Sequence, residues 1–102
     1  MMTQATLLLT QEEIFERLDL DPDYSNISLL NSLNQTASDF LLKRTGRDWG
    51  KAEFSNTVGQ NLAKNTAAYW VAMNFYNDDE HNYQKAIDYS IADLLDIIIS
   101  EE

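Results

Sequence analysis

The segment from about 57 to 77 constrains the fold most. Val58, Leu62, Thr66, Tyr69, Trp70, Met73 and Tyr76 recur there at three-to-four spacing, which is the period of a helix buried on one side. Ala63, Ala67, Ala68 and Ala72 broaden that face. Small side chains permit close approach by a neighbouring helix, so this segment is predicted to be the central helix of an all-α domain.

Local signals place three more helices around it. Thr10-Gln11-Glu12-Glu13 fits a capping box, with the Thr10 hydroxyl positioned for the third helical amide and Glu13 reaching back to the cap. A short helix follows, with Ile14, Phe15 and Leu18 on its apolar face, and Asp19-Leu20-Asp21-Pro22-Asp23 ends it. Asp21 is expected to cap a second helix with Pro22 in its first turn, where the missing proline donor costs nothing. Ile27, Leu30, Leu33, Ala37, Phe40 and Leu41 form its stripe to about residue 45. Lys43 and Arg44 suit the negative end of its dipole, and Gly46 suits the left-handed residue that stops it.

Residues 46 to 57 have loop composition yet carry Trp49 and Phe54. Aromatic side chains in a loop either fold back onto their own core or present a partner surface, and the first is the ordinary outcome. After an acidic turn, Asp78-Asp79-Glu80-His81, Asn82 is expected to cap a last helix over about 83 to 100. Ile87, Ile91, Leu94, Leu95 and Ile98 are its core face, while Ile97 and Ile99 fall off that stripe. A helix apolar over so wide an arc needs cover on more than one side, so the carboxy-terminal end is expected to contact another chain. No repeat, low-complexity tract or linker divides the 102 residues, and the expectation is one domain of four helices, with a long second and a central third.

Composition narrows the function. The 17 acidic and 7 basic side chains give a net charge of −10. Residues 52 to 102 hold 9 acids against 2 bases, and so carry −7 of that charge. With few cations and no basic run, duplex binding through phosphate neutralisation is disfavoured. There are no cysteines, so no disulfide, thiolate metal site or cysteine nucleophile is available. The first nine residues lack the basic start and apolar run of a signal peptide, and no segment is long enough for a membrane span. A cytoplasmic site of synthesis is expected, with no membrane partner.

Catalysis finds little support. The lone His81 among Asp78, Asp79 and Glu80 reads as a solvated acidic turn, since no second histidine exists to complete a metal site. Glu13 with Glu16 and Asp93 with Asp96 are carboxylates three apart on two helices. Such pairs can hold Mg²⁺ against a phosphate, as in all-α nucleotide pyrophosphohydrolases, but a supporting set of cations is missing. With only Gly46, Gly50 and Gly59, there is no glycine-rich phosphate loop, and no serine stands in a nucleophile-elbow context. No cofactor or metal is expected, and an interaction or structural protein is favoured over an enzyme.

The order of motifs points further. A helix stopped by Thr45-Gly46-Arg47, a loop with Asp48 and Trp49, an alanine-rich aromatic helix ending in Asn77-Asp78-Asp79-Glu80, and a last helix of leucines and isoleucines follow in turn. This arrangement, from Thr10 to Ile99, resembles the small head-to-tail connector (adaptor) proteins of tailed bacteriophages. One departure is the acidic turn, where related chains often carry an arginine. The resemblance implies a virion protein of the neck, assembled in the bacterial host cytoplasm as a ring, twelvefold to match the portal. Such a ring docks beneath the portal protein after DNA packaging, extends the DNA channel and receives the next neck, stopper or tail component. It implies contact roles for Trp49, Phe54, Ile97 and Ile99, and a channel-facing position for Asp78, Asp79 and Glu80. Carboxylates on the channel wall would repel phosphates and let DNA slide without binding. The alternative from another class is a small acidic helical protein that captures a basic partner by mimicking the charge of DNA.

Overall fold

The computed structural model describes residues 4 to 76 and 82 to 101. Among these residues the chain forms α1 (Gln11–Leu18), α2 (Ile27–Thr45), a 3-10 turn (Ala52–Phe54), α3 (Val58–Tyr76) and α4 (Tyr83–Ser100), with no strand. The all-α expectation of four helices holds. One hydrophobic core joins all four helices, and the molecule measures 45 × 29 × 29 Å.

Local capping explains where most helices begin and end. The Thr10 side chain accepts from the Glu13 amide at 3.1 Å while the Glu13 carboxylate accepts from the Thr10 amide at 2.9 Å. Asp19, in the left-handed region at φ 51°, terminates α1, and Gly46 at φ 77° terminates α2 with its amide donating to the Leu42 carbonyl. Thr57 caps α3 through a hydroxyl that accepts from the Gln60 amide at 3.1 Å.

Two starts differ in detail from the sequence expectation. Helix α2 begins at Ile27, capped by the Asn26 side chain, not at Pro22. Asp21 instead closes a turn of its own, its carboxylate accepting from the Asp23 amide and its carbonyl from the Tyr24 amide, both at 2.9 Å. That turn brings the Tyr24 ring between Phe15, at 6.5 Å, and Phe75, at 5.5 Å, a contact a helix starting at Pro22 would not have to provide. At α4, Asn82 occupies the cap position at φ 55°, but its side chain makes no cap hydrogen bond.

Helix α3 is central, touching α1, α2 and α4. Its buried side is not the stripe of large residues. Ala63, Thr66, Ala67, Val71 and Ala72 face the interior with Gly59 and Gln60, whereas Val58, Tyr69 and Tyr76 are exposed and Leu62, Trp70 and Met73 are half-buried. A helix flanked by three others has no room for aromatic rings at the closest approaches, so small residues take those positions and the rings fill the seams beside them. Trp70 and Phe40 meet in one such seam with ring centroids 6.4 Å apart, and the Tyr76 hydroxyl donates to the Leu18 carbonyl at 2.6 Å, tying α3 to the end of α1.

An amino-terminal strap, invisible to periodicity, completes the core. Residues 5 to 9 run without regular structure over α2, burying Ala5, Leu8 and Leu9. Each fully buried leucine contributes about 1.5–3 kcal/mol. The strap's backbone polar groups are met by side chains. Asp39 accepts from the Ala5 amide at 2.7 Å, Ser38 from the Leu8 amide at 3.0 Å, and Asn34 donates to the Leu9 carbonyl at 2.7 Å. Gln35 donates to the Ala5 carbonyl at 2.8 Å. These α2 residues stand one turn apart in two adjacent pairs, so a single helix flank supplies the ladder that a neighbouring strand would otherwise provide.

Candidate functional site

The residues Thr45-Gly46-Arg47-Asp48-Trp49 form a junction in which every side chain present has a partner. The Thr45 hydroxyl donates to the Leu41 carbonyl at 2.7 Å and accepts from the Trp49 indole Nε1 at 3.0 Å. Gly46 turns the chain through its left-handed conformation. Arg47 lays its guanidinium over the Trp49 ring at 4.8 Å and the Phe54 ring at 5.0 Å, and pairs with Glu101 at 2.7 Å. Asp48 reaches the strap, accepting from the Thr6 amide at 3.0 Å and the Thr6 hydroxyl at 2.8 Å. The end of α2, the strap, the loop and the end of α4 therefore meet at one corner.

Trp49 lies inside its own core at 2% exposure, packed against Gly59 and tilted over Phe54 at 5.5 Å. It does not lie open on the surface of the chain, and Phe54 is only partly open beside it. The two therefore fold back together, and the cation of Arg47 covers them. Of the carboxy-terminal pair, Ile97 is half-buried against the core whereas Ile99 is 64% exposed. Leu95, expected on the core face, is 38% exposed instead, because Ile87, Ile91 and Leu94 occupy the line of contact and Ile98 flanks it. Leu95 and Ile99 thus share one outer flank of α4 with Ala92. Asp78, Asp79 and Glu80 lie outside the described residues, as does His81.

No family model, no curated protein and no solved structure matches this chain.

Of the carboxylates considered for a metal, Glu13 is engaged within the fold. Glu13 serves the α1 cap and pairs with Lys64 at 3.2 Å. Burial raises its pKa, but hydrogen bonds from Thr10 and the Lys64 ammonium outweigh that and hold the carboxyl below its ordinary value. Among the described residues, no group of three or more histidine, aspartate or glutamate side chains gathers in metal-binding geometry.

An open cleft of about 440 Å³ lies between the strap and α3, lined by Leu7, Glu13, Asn31, Gly50, Gln60 and Lys64 among others. Several of its polar groups are engaged with one another or with the backbone. Glu13 and Lys64 neutralise each other, and the Gln60 amide donates to the Trp49 carbonyl at 3.0 Å. Among the described residues every buried side-chain nitrogen and oxygen has a hydrogen-bond partner.

Sequence reasoning missed the strap and its ladder. The residues were present as the polar set Asn34, Gln35, Ser38 and Asp39 beside the apolar stripe of α2, but a polar row on a helix flank reads the same whether it meets solvent or another segment's backbone.

Proposed function

We propose that the chain is a structural subunit of a ring-forming head-to-tail connector of a tailed bacteriophage. In that role it docks under the portal, extends the DNA channel and joins the head to the next neck or tail component. The observation that carries this reading is the order of elements within one helical domain. A helix closed by Gly46 is followed by the Arg47 and Trp49 junction, then an alanine-lined central helix, then a terminal helix apolar on its outer flank. The exposed Ile99 and Leu95 suit a subunit that needs cover from neighbours, and the −10 charge suits a wall past which DNA must slide.

The test is co-assembly. The purified chain is mixed with a candidate portal protein from the same genome and imaged by negative-stain electron microscopy. A ring added to one end of the portal, with the portal's symmetry, supports the reading. A folded chain that adds no density sinks it and favours a small acidic binder of a basic partner, a reading that draws on the same net charge.

A further inference from the structure

The strap is fastened to the helices through side chains. Among the described residues, 5 to 9 make no backbone-to-backbone hydrogen bond, and their amides and carbonyls turn to Asn34, Gln35, Ser38 and Asp39 on α2 and to Asp48 beyond it. That row is polar, so with the strap away it meets water and no buried polar group is orphaned. The cap of α1 is equally self-contained, because Thr10 and Glu13 close it without help from residues 5 to 9. On its outer side the strap borders the open cleft, and Leu7 is 46% exposed. Lifting the strap gives up the burial of Ala5, Leu8 and Leu9, while α3 keeps its contacts with α1, α2 and α4.

One residue sets the closed position. A Cβ built on Gly50 would stand 2.6 Å from the Thr6 carbonyl oxygen and 3.1 Å from that of Leu7, so the strap backbone lies directly on this glycine. The loop carrying Gly50 is held in place. Trp49 is buried, its carbonyl accepts from the Gln60 amide group at 3.0 Å, and the Lys51 amide donates to the Asp48 carbonyl at 3.3 Å. A side chain at position 50 therefore displaces the strap rather than the loop.

We propose that residues 5 to 9 form a latch that opens as one unit about Thr10 while the four helices stay packed, its closed state depending on the bare Cα of Gly50. A segment with few apolar contacts opens at a lower free energy than the whole fold. The latch calls on no partner and no assembly, so it stands apart from the connector reading.

Native-state hydrogen exchange of the full chain, followed by NMR over low urea concentrations, tests it. The Ala5, Thr6, Leu8 and Leu9 amides should share one urea slope and exchange, after correction for intrinsic rates, at least about 100-fold faster than the Ala67 and Val71 amides of α3. Ile87→Val weakens the helical core in the open and closed states alike. It should speed exchange at Ala67 and Val71 by about 2- to 10-fold and leave the strap amides unchanged. Gly50→Ala clashes only when the latch is closed, and should speed the strap amides at least about tenfold. Asp48→Ala, which removes the acceptor for Thr6, should act in the same direction and serves as the second variant, with circular dichroism confirming that each chain is folded. Strap amides that match Ala67 and Val71 in the native chain, that accelerate with them in Ile87→Val, that differ among themselves in urea slope, or that respond to neither Gly50→Ala nor Asp48→Ala each overturn the latch.

Discussion

The edge of the Trp49 indole occupies the space that a side chain at Gly59 would need: a Cβ built there lies 2.4 Å from Cζ3. The ring cannot retreat easily, because its Nε1 is held by Thr45 and its face by Arg47. Gly59→Ala should therefore destabilise the protein by about 1–3 kcal/mol through overpacking. The helix-propensity gain of up to about 1 kcal/mol is smaller than that and is reduced further in the first turn. Urea denaturation measures the net change, and a shifted tryptophan emission should accompany it; a stabilised variant would contradict the close contact.

Asn34 serves both polar groups of Leu9, donating to its carbonyl at 2.7 Å and accepting from its amide at 3.4 Å. Asn34→Leu keeps a side chain branched at the same carbon but leaves these buried groups unpaired, at about 1–3 kcal/mol each. The expected outcome is lower stability together with faster hydrogen exchange at Leu8 and Leu9. Gln35→Ala, at a half-buried site, should cost less. Equal losses from the two variants would argue against the ladder as the strap's anchor.

Arg47 combines an ion pair with two aromatic contacts, and magnitudes separate them. A pair with the exposed Glu101 is worth about 0–1 kcal/mol, while stacking over two partly desolvated rings contributes about 0.5–2 kcal/mol for each contact. Glu101→Gln should thus change stability by less than about 0.5 kcal/mol, and Arg47→Ala should cost several times more. A double-substitution cycle that assigned most of the loss to the ion pair would reverse this ranking.

Glu13 makes stability depend on pH in a defined direction. Its folded pKa lies below the ordinary value of 4.5, so its contribution is fully present above that value and is lost as pH falls through the folded pKa. Glu13→Gln should be less stable than the native chain at pH 7, and the difference should shrink towards zero in acid below the folded pKa. Lys64→Met should show the same trend more weakly, because the Thr10 bond remains. Urea midpoints measured from pH 7 to pH 3 test this; a gap that widened in acid would contradict it.

Local signals were enough to read the all-α class, the capping box at Thr10, the stop at Gly46, the start of α3 to within a residue, and α4 from Tyr83 to Ser100. These features rest on bonds between residues three or four apart, such as Thr10 with Glu13, and on patterns that repeat within one helix. Which side of α3 is buried depends instead on how closely three other helices approach Ala63 and Ala67. Tertiary contacts likewise pack Tyr24 against Phe75 ahead of α2, close Trp49 over Gly59, and strap residues 5 to 9 on α2 through partners 25 to 34 positions away. Such pairings carry no local signature. A polar side chain reads the same in sequence whether it faces water or another segment's backbone, and only the folded chain brings that backbone to it.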